Sequence, residues 1–197
     1  MKLYFELIET FKEGSILGYE AVHDSDERLT GLLRTDKLND EIEVLFEDGV
    51  GSLIACWGKN DDSPIIYLNS EGSPYAVVAN NFREFLSLLY YGTYGVLEIE
   101  PYISYLKAKK RFEKRNAEFN RLMPDGSDVE YLNEITERLK SEYKSYDDIV
   151  NWLKKNGIDR PISPFKQILN AFQSNNNIEY RIIDLLASIV FHFLIAK

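Results

Sequence analysis

The chain has 197 residues, of which 45% are apolar and 28% are charged, and its net charge is −9 at pH 7. This length and composition favour one ordered domain with a sizeable core and argue against disorder. The single cysteine, Cys56, excludes an intrachain disulfide and fits a reducing compartment. The N-terminus lacks the apolar stretch of a signal peptide, and the most apolar segment, 182–196, is shorter than a bilayer span requires. We therefore expect a cytoplasmic protein with no membrane contact.

The negative charge is concentrated in the middle of the chain. Residues 41–100 contain only Lys59 and Arg83 against ten acidic side chains, a balance of −8, whereas residues 101–197 have a balance of +3. A field of this sign repels nucleic acid and speeds encounter with a basic protein partner. Ordinary solubility is the alternative explanation of the net charge.

The first forty residues give weak structural signals. Residues 3–20 fit either a short helix or an edge strand. Residues 25–40 are polar and charged, and they predict a loop with a turn of helix around Leu32 and Leu33.

Four short apolar runs between residues 43 and 79 predict an antiparallel β-meander, because turn residues separate them. In the first run, Val44 and Phe46 alternate with Glu43, Leu45 and Glu47, so we expect both to lie on one face of the sheet. The second run, 53–57, is apolar on both faces, which predicts a central strand covered on both sides. The third and fourth runs, 64–68 and 75–79, follow turns and have prolines at their entrances.

A helix is predicted directly after the meander. Asn81 and Glu84 have the spacing of a capping box, and Gly92 supplies the stop. The apolar residues between them fall at helical spacing and predict a buried stripe. That stripe consists of Phe82, Phe85, Leu86, Leu89 and Tyr90.

The remainder of the chain has helical periodicity. Helices are predicted from 102 to about 120, after Ser127, from Ser145 to Asn156, after Ser163-Pro164 and at the end of the chain. The fold class that follows is α+β, with a meander of about four strands packed against helices. We expect a single domain over 1–197, made of a sheet core, 1–100, and a helical extension, 101–197.

The sequence offers little catalytic machinery. Cys56 lies in mid-strand, where a small buried residue is usual, and a thiol enzyme would need it beside His23 or His192. No metal-ligand spacing or phosphate-binding glycine loop occurs, so we expect no cofactor and no enzyme. A hydrolase using a carboxylate pair stays open as an alternative. The candidate pairs are Asp61-Asp62, Glu47-Asp48 and Glu98/Glu100.

Two further features have two interpretations each. The basic run Lys107–Arg115 indicates either a nucleic-acid or adaptor surface or, as we favour, a solvated helix face. Trp57 is either a core residue or an exposed interface anchor.

Three segments of the meander together resemble the SUKH superfamily, whose members resemble the fungal cell-wall-assembly regulator domain. They are Phe46–Trp57 (FEDGVGSLIACW), Pro64–Gly72 (PIIYLNSEG) and Val77–Leu86 (VVANNFREFL), within residues 42–92. The resemblance implies a binding protein, because many bacterial members are thought to be immunity proteins that neutralise toxins, often nucleases.

The predicted partner is therefore a basic toxin domain, bound through an acidic sheet face. An adaptor that uses the helical half is the alternative. The predicted contact residues are Glu43, Glu47, Asp48, Trp57, Asp61, Asp62 and Glu71.

Overall fold

The computed structural model describes residues 1–12, 15–71, 75–97, 129–175, 178 and 181, and these form an α+β fold, as predicted. The predicted helix at 102–120 with its basic run, the capping box at Ser127, Glu98, Glu100 and the end of the chain with His192 lie outside the described residues. The described elements in chain order are α1 (Lys2–Thr10), β1 (Tyr19–Ala21), α2 (Ser25–Leu33), β2 (Ile42–Asp48), β3 (Leu53–Trp57), β4 (Ile65–Leu68), β5 (Tyr75–Ala79), α3 (Phe82–Leu88), a 3-10 turn (Leu89–Tyr91), α4 (Tyr94–Leu97), α5 (Val129–Glu142), α6 (Tyr146–Lys155) and α7 (Pro164–Ser174).

The sheet has five antiparallel strands in the order β1-β2-β3-β4-β5, so each strand pairs with its neighbour in the chain. The four-strand meander is confirmed, and a short edge strand, β1, precedes it. The N-terminal segment thus forms both a helix and an edge strand. No helix in the described ranges is both long and apolar enough to cross a membrane.

The predicted loop over 25–40 was wrong for its first part, because Ser25–Leu33 is the helix α2. Asp24 caps this helix, since its side chain accepts a hydrogen bond from the Glu27 N–H at 3.0 Å. Leu29 and Leu33 lie one helical turn apart and are buried against the sheet. The capping residue and this apolar pair outweigh the polar composition.

A β-bulge at Leu45 overturns the predicted alternation of β2. Val44 pairs with Ala55 while Phe46 pairs with Ile54, so Leu45 is an extra residue in the ladder. Val44 consequently packs in the cluster beneath α2, whereas Phe46 packs in the cluster on the opposite face. The expectation that Val44 and Phe46 share a face is wrong for this reason.

Two apolar clusters cover the two faces of the sheet. One lies beneath α1 and α3, and the other lies beneath α2. The prediction of a central strand covered on both sides is confirmed, because β3 contributes Ile54 and Cys56 to the first cluster and Leu53 and Ala55 to the second. Aromatic rings dominate the first cluster, with centroids 5.4 to 6.0 Å apart. These rings belong to Tyr4, Tyr19, Phe46, Phe82 and Phe85.

The helical half closes one edge of the sheet. Ser163 caps α7 as predicted, accepting a hydrogen bond from the Lys166 N–H at 3.2 Å. Helix α7 packs along β5 and contributes Ile168 to the first cluster and Ala171 to the second. It therefore lies at the β5 edge, in contact with both faces, and leaves β1 as the other edge.

Two buried tyrosines predict a loss of stability at alkaline pH. Burial and the nearby Glu43 charge raise the pKa of Tyr4 to about 12, and burial followed by Asp48 raises the pKa of Tyr19 well above its usual 10. Above pH 10 the unfolded chain releases phenol protons that the native state keeps, so the free energy of unfolding falls as pH rises towards 12. Urea denaturation across this range measures the fall. Tyr4→Phe should flatten the slope, and an unchanged slope would contradict this account.

Candidate partner-binding groove

A cleft among the described residues lies where α2 meets β1 and β2. This cleft, which we call the α2 groove, has a volume of about 750 Å³. The strand β1 and the chain leading into α2 form one wall, α2 forms the other, and Gly51 and Leu53 of the next hairpin line its end. Partly buried Val22 and Leu32 give the groove apolar surface.

The groove is acidic. Four carboxylates line it, against the single guanidinium of Arg28 among the described lining residues. That guanidinium is already paired, because its Nη2 lies 2.9 Å from an oxygen of Glu47. Asp24 is engaged in capping α2. Glu20 and Glu27 are exposed and have no cationic partner in the described part of the chain.

Two of these carboxylates face each other across a strand pair. Glu20 of β1 lies directly opposite Glu47 of β2 in the sheet register. Like charges in this arrangement repel each other, and the ion pair of Glu47 with Arg28 neutralises only one of them. Glu20 keeps a negative charge with no cationic partner in the ranges that the structure describes, and a cation placed beside it would pair with that charge.

The predicted contact residues do not lie on one sheet face. Four of them lie at the end of the sheet that holds the β3–β4 turn, and these are Glu43, Trp57, Asp61 and Asp62. The other three lie at the opposite end, with the β2–β3 and β4–β5 turns, and these are Glu47, Asp48 and Glu71. Glu43 and Glu47 mark these two ends on β2, and their four-residue spacing corresponds to about 13 Å along the strand. Because helices cover both faces, the predicted acidic sheet face is wrong in its geometry.

The prediction that Asp48 contacts a partner is wrong. Asp48 is only 6% exposed, and its carboxylate accepts hydrogen bonds from the Val50 and Ser52 N–H groups at 3.0 and 2.9 Å. Asp48 therefore shapes the β2–β3 turn and offers no surface to a partner. Glu47, its neighbour in the predicted catalytic pair, points to the α2 groove, so the two carboxyl groups do not face a common site.

Asp61 is also engaged within the fold. One oxygen of its carboxylate accepts a hydrogen bond from the Lys2 N–H at 3.0 Å, which holds the β3–β4 turn against the start of α1. Its neighbour Asp62 is exposed, as is Glu71 at the other end of the sheet. Glu43 is half-buried on the α1 side of the sheet, opposite Cys56.

Trp57 was predicted to be either a core residue or an exposed interface anchor, and it is partly buried and partly exposed. Its side chain is half-buried against the cluster beneath α2, and the Arg181 guanidinium lies 5.1 Å from the centre of its ring. Arg181 is held there by Glu41, whose two carboxylate oxygens lie 3.0 and 2.8 Å from its Nη2. An outside partner would therefore meet Trp57 partly covered by this pair.

Cys56 is buried, and burial raises the pKa of its thiol. Its Sγ donates to the Asn60 carbonyl at 3.3 Å, so the neutral thiol has a partner in the folded state. These contacts are typical of a structural cysteine. No group of three His, Cys, Asp or Glu side chains with metal-binding geometry occurs in the described ranges.

Another cleft lies between α5 and α6 in the helical half, with a volume of about 540 Å³. It has basic side chains, but Arg160 donates to the Tyr91 hydroxyl at 3.0 Å and to the Thr136 hydroxyl at 2.9 Å. Lys140 is paired with Glu137 at 2.7 Å. Most of its positive charge thus stabilises the contacts of α5, and we take the α2 groove as the candidate site.

Glu20 and Glu27 are the groove residues that the sequence reasoning missed. The signal available was the −4 charge of residues 1–40 together with Asp24, a capping residue that would have placed Glu27 on a helix. Comparison with protein-family models, curated proteins and solved structures gave no match to this chain.

Proposed function

We propose that this chain is a non-enzymatic binding protein that takes a basic protein partner in the α2 groove. One observation carries the proposal: four carboxylates line a groove with apolar walls, and the only guanidinium among its described lining residues is paired internally. A Lys or Arg side chain of a partner would neutralise Glu20 and Glu27, while its aliphatic stem would contact Val22 and Leu32.

Binding rather than hydrolysis is supported by the state of the predicted carboxylate pairs. Asp48 holds a turn and Asp61 holds the start of α1, so in each described pair one member has a structural role. An acid of a glycosidase would instead share a sugar-binding cleft with its partner carboxylate.

We propose further that the partner is a toxin domain and that the chain acts as its immunity protein. The SUKH resemblance of residues 42–92 supports this, and so does the charge, because nuclease surfaces are cationic and an acidic inhibitor gains on-rate from that complementarity. The two arguments rest in part on different residues, since Glu20 and Glu27 lie outside the segment that carries the resemblance and Glu47 lies inside it.

Co-expression with the products of the genes beside its own, among which the proposal expects a toxin domain, tests the proposal. We expect the wild-type chain to restore growth and to bind the purified toxin. The double variant Glu20→Lys/Glu27→Lys should bind at least about tenfold more weakly, chiefly through slower association, and added salt should narrow the difference.

The matched control is Glu9→Lys/Glu134→Lys, which makes the same change in net charge at two exposed positions outside the groove. This variant should bind and rescue like the wild type. Equal losses in both double variants would assign the effect to net charge alone, and no rescue by the wild-type chain would overturn the immunity function.

A further inference from the structure

The two edges of the sheet are finished differently. Helix α7 closes the β5 edge, and the Asn175 side chain ties its end to the Asn80 side chain at 2.9 Å. The β1 edge instead forms a wall of the α2 groove, with Glu20, Ala21 and Val22 all lining it. Beyond the bridge between Tyr19 and Ile16, no strand of the described ranges pairs with this edge, and such an edge beside a charged groove is a place where an extended segment of another chain can pair.

The hydrogen bonds of β1 identify which backbone groups face outwards. The Val22 N–H donates to the Leu45 carbonyl at 3.0 Å, so the backbone polar groups of Val22 point towards β2. Those of Tyr19 point away from β2, because the Tyr19 N–H donates to the Ile16 carbonyl at 3.1 Å and the Tyr19 carbonyl accepts from the Ile16 N–H at 2.7 Å. Because residues alternate in an antiparallel ladder, the N–H and C=O of Ala21 also point away from β2, at the edge that borders the groove.

From this arrangement we infer that the partner binds as an added β-strand along β1, an inference that rests on the proposed function of the α2 groove. The N–H and C=O of Ala21 anchor the strand, and a Lys or Arg of the partner lies beside Glu20 on the face that carries Glu47 and Arg28. Cross-strand neighbours in a sheet are close enough for that ion pair to form.

The negative charge of the β1 edge favours pairing with a protein of different sequence over pairing with a second copy of this chain. Two β1 strands paired around a two-fold axis would bring two Glu20 side chains and two acidic grooves together, on chains that each carry −9. A basic extended segment has no such repulsion. The shortness of β1 and the charge of Glu20 therefore act against self-pairing while leaving the edge open to a cationic strand.

A labelled short peptide of alternating Lys and Val tests the inference, measured by fluorescence anisotropy against a twin peptide with alternate amides N-methylated. The twin keeps the charge and loses the backbone donors. We expect the wild type to bind the first peptide at least about tenfold more tightly than the twin. Equal binding of the two peptides, or no binding of either, overturns the strand pairing.

Ala21→Pro is the matching change in the protein, with Ala21→Val as its control. The proline removes the outward N–H and keeps every bond to β2, as edge strands tolerate. It should weaken binding of the Lys-Val peptide about tenfold, whereas the valine variant should bind like the wild type. Were the proline variant to unfold, the comparison of the two peptides on the wild type would still decide.

The failure of this inference differs from the failure of the proposed function. The Glu20→Lys/Glu27→Lys variant could bind both peptides more weakly to the same degree while Ala21→Pro binds both like the wild type. That result would show that the groove binds cations without strand pairing. If the toxin is bound and neutralised by Ala21→Pro as well as by the wild type, strand pairing is likewise overturned and the immunity function stands. Self-association that Ala21→Pro abolishes would assign the edge to a second copy and overturn the inference.

Discussion

Replacing Gly92 with alanine should destabilise the protein by about 3 kcal/mol, as expected for a side chain forced into a glycine-only conformation against fixed backbone. Gly92 has φ +52° and ψ −146°, and a Cβ there would lie 2.8 Å from the Leu17 carbonyl oxygen and 2.9 Å from Leu139 Cδ2. The first neighbour has little freedom to move, because that carbonyl also accepts a hydrogen bond from the Thr93 N–H at 3.2 Å.

Leu17 is itself constrained on the other side of this contact. It has φ +52° and is fully buried, and with Gly18 at φ +95° it forms the two-residue turn that precedes β1. A shift of Leu17 that accommodated a Cβ at position 92 would displace a core side chain. Gly92 therefore joins the N-terminal turn to the end of the α3 segment, a role beyond the helix stop predicted from sequence.

Urea denaturation of Gly92→Ala measures the effect, with Gly31→Ala as the matched control. Gly31 lies in α2, and a Cβ added there meets nothing within 4 Å. The control should gain up to about 1 kcal/mol, since alanine favours the helix. A Gly92→Ala variant as stable as the wild type would show that the contact with Leu17 relaxes freely.

Sequence patterns predicted the elements whose signals are local. Asn81 and Ser163 were identified as caps from their spacing, and each accepts the expected backbone hydrogen bond, at 2.9 and 3.2 Å. The all-apolar run 53–57 gave a strand covered on both faces. Such signals depend on a few neighbouring residues, and these elements can therefore be predicted without knowledge of the tertiary fold.

The α2 groove could not be predicted in the same way. Glu20, Glu27 and Glu47 are distant in the chain, and only the pairing of β1 with β2 and the packing of α2 bring them together. The sequence predicted a binding role for the meander alone, because residues 41–100 have the most negative balance of charge. The structure places the carboxylates of the meander at both ends of the sheet, where Asp48 and Asp61 are used by turns and a helix start.

The bulge at Leu45 is a second feature that depends on tertiary pairing. Strict alternation along β2 would place Phe46 beneath α2 with Val44, and the extra residue instead places Phe46 among the aromatic rings beneath α1 and α3. Nothing in the sequence of β2 marks Leu45 as the bulged residue, because every residue from Val44 to Phe46 is apolar and is buried on either assignment.

Phe46→Ala should consequently cost about 4 kcal/mol, the range for a large aromatic side chain removed from a core. Phe46 is fully buried, and its ring centroid lies 5.4 Å from that of Tyr4, 6.0 Å from Tyr19 and 5.9 Å from Phe85. Phe5→Ala is the matched control, since Phe5 is 59% exposed and its loss should change the free energy of unfolding by less than about 1 kcal/mol.

The same substitution tests which face Phe46 occupies. Phe46→Ala should shift the NMR signals of the Tyr4 and Phe85 rings, because ring currents from Phe46 act on them, and should leave the methyl signals of Leu29 and Leu33 beneath α2 nearly unchanged. Val44→Ala should do the reverse. The opposite pattern would place Phe46 beneath α2 and remove the bulge, and the register that sets Glu20 against Glu47 in the groove would then have to be redrawn.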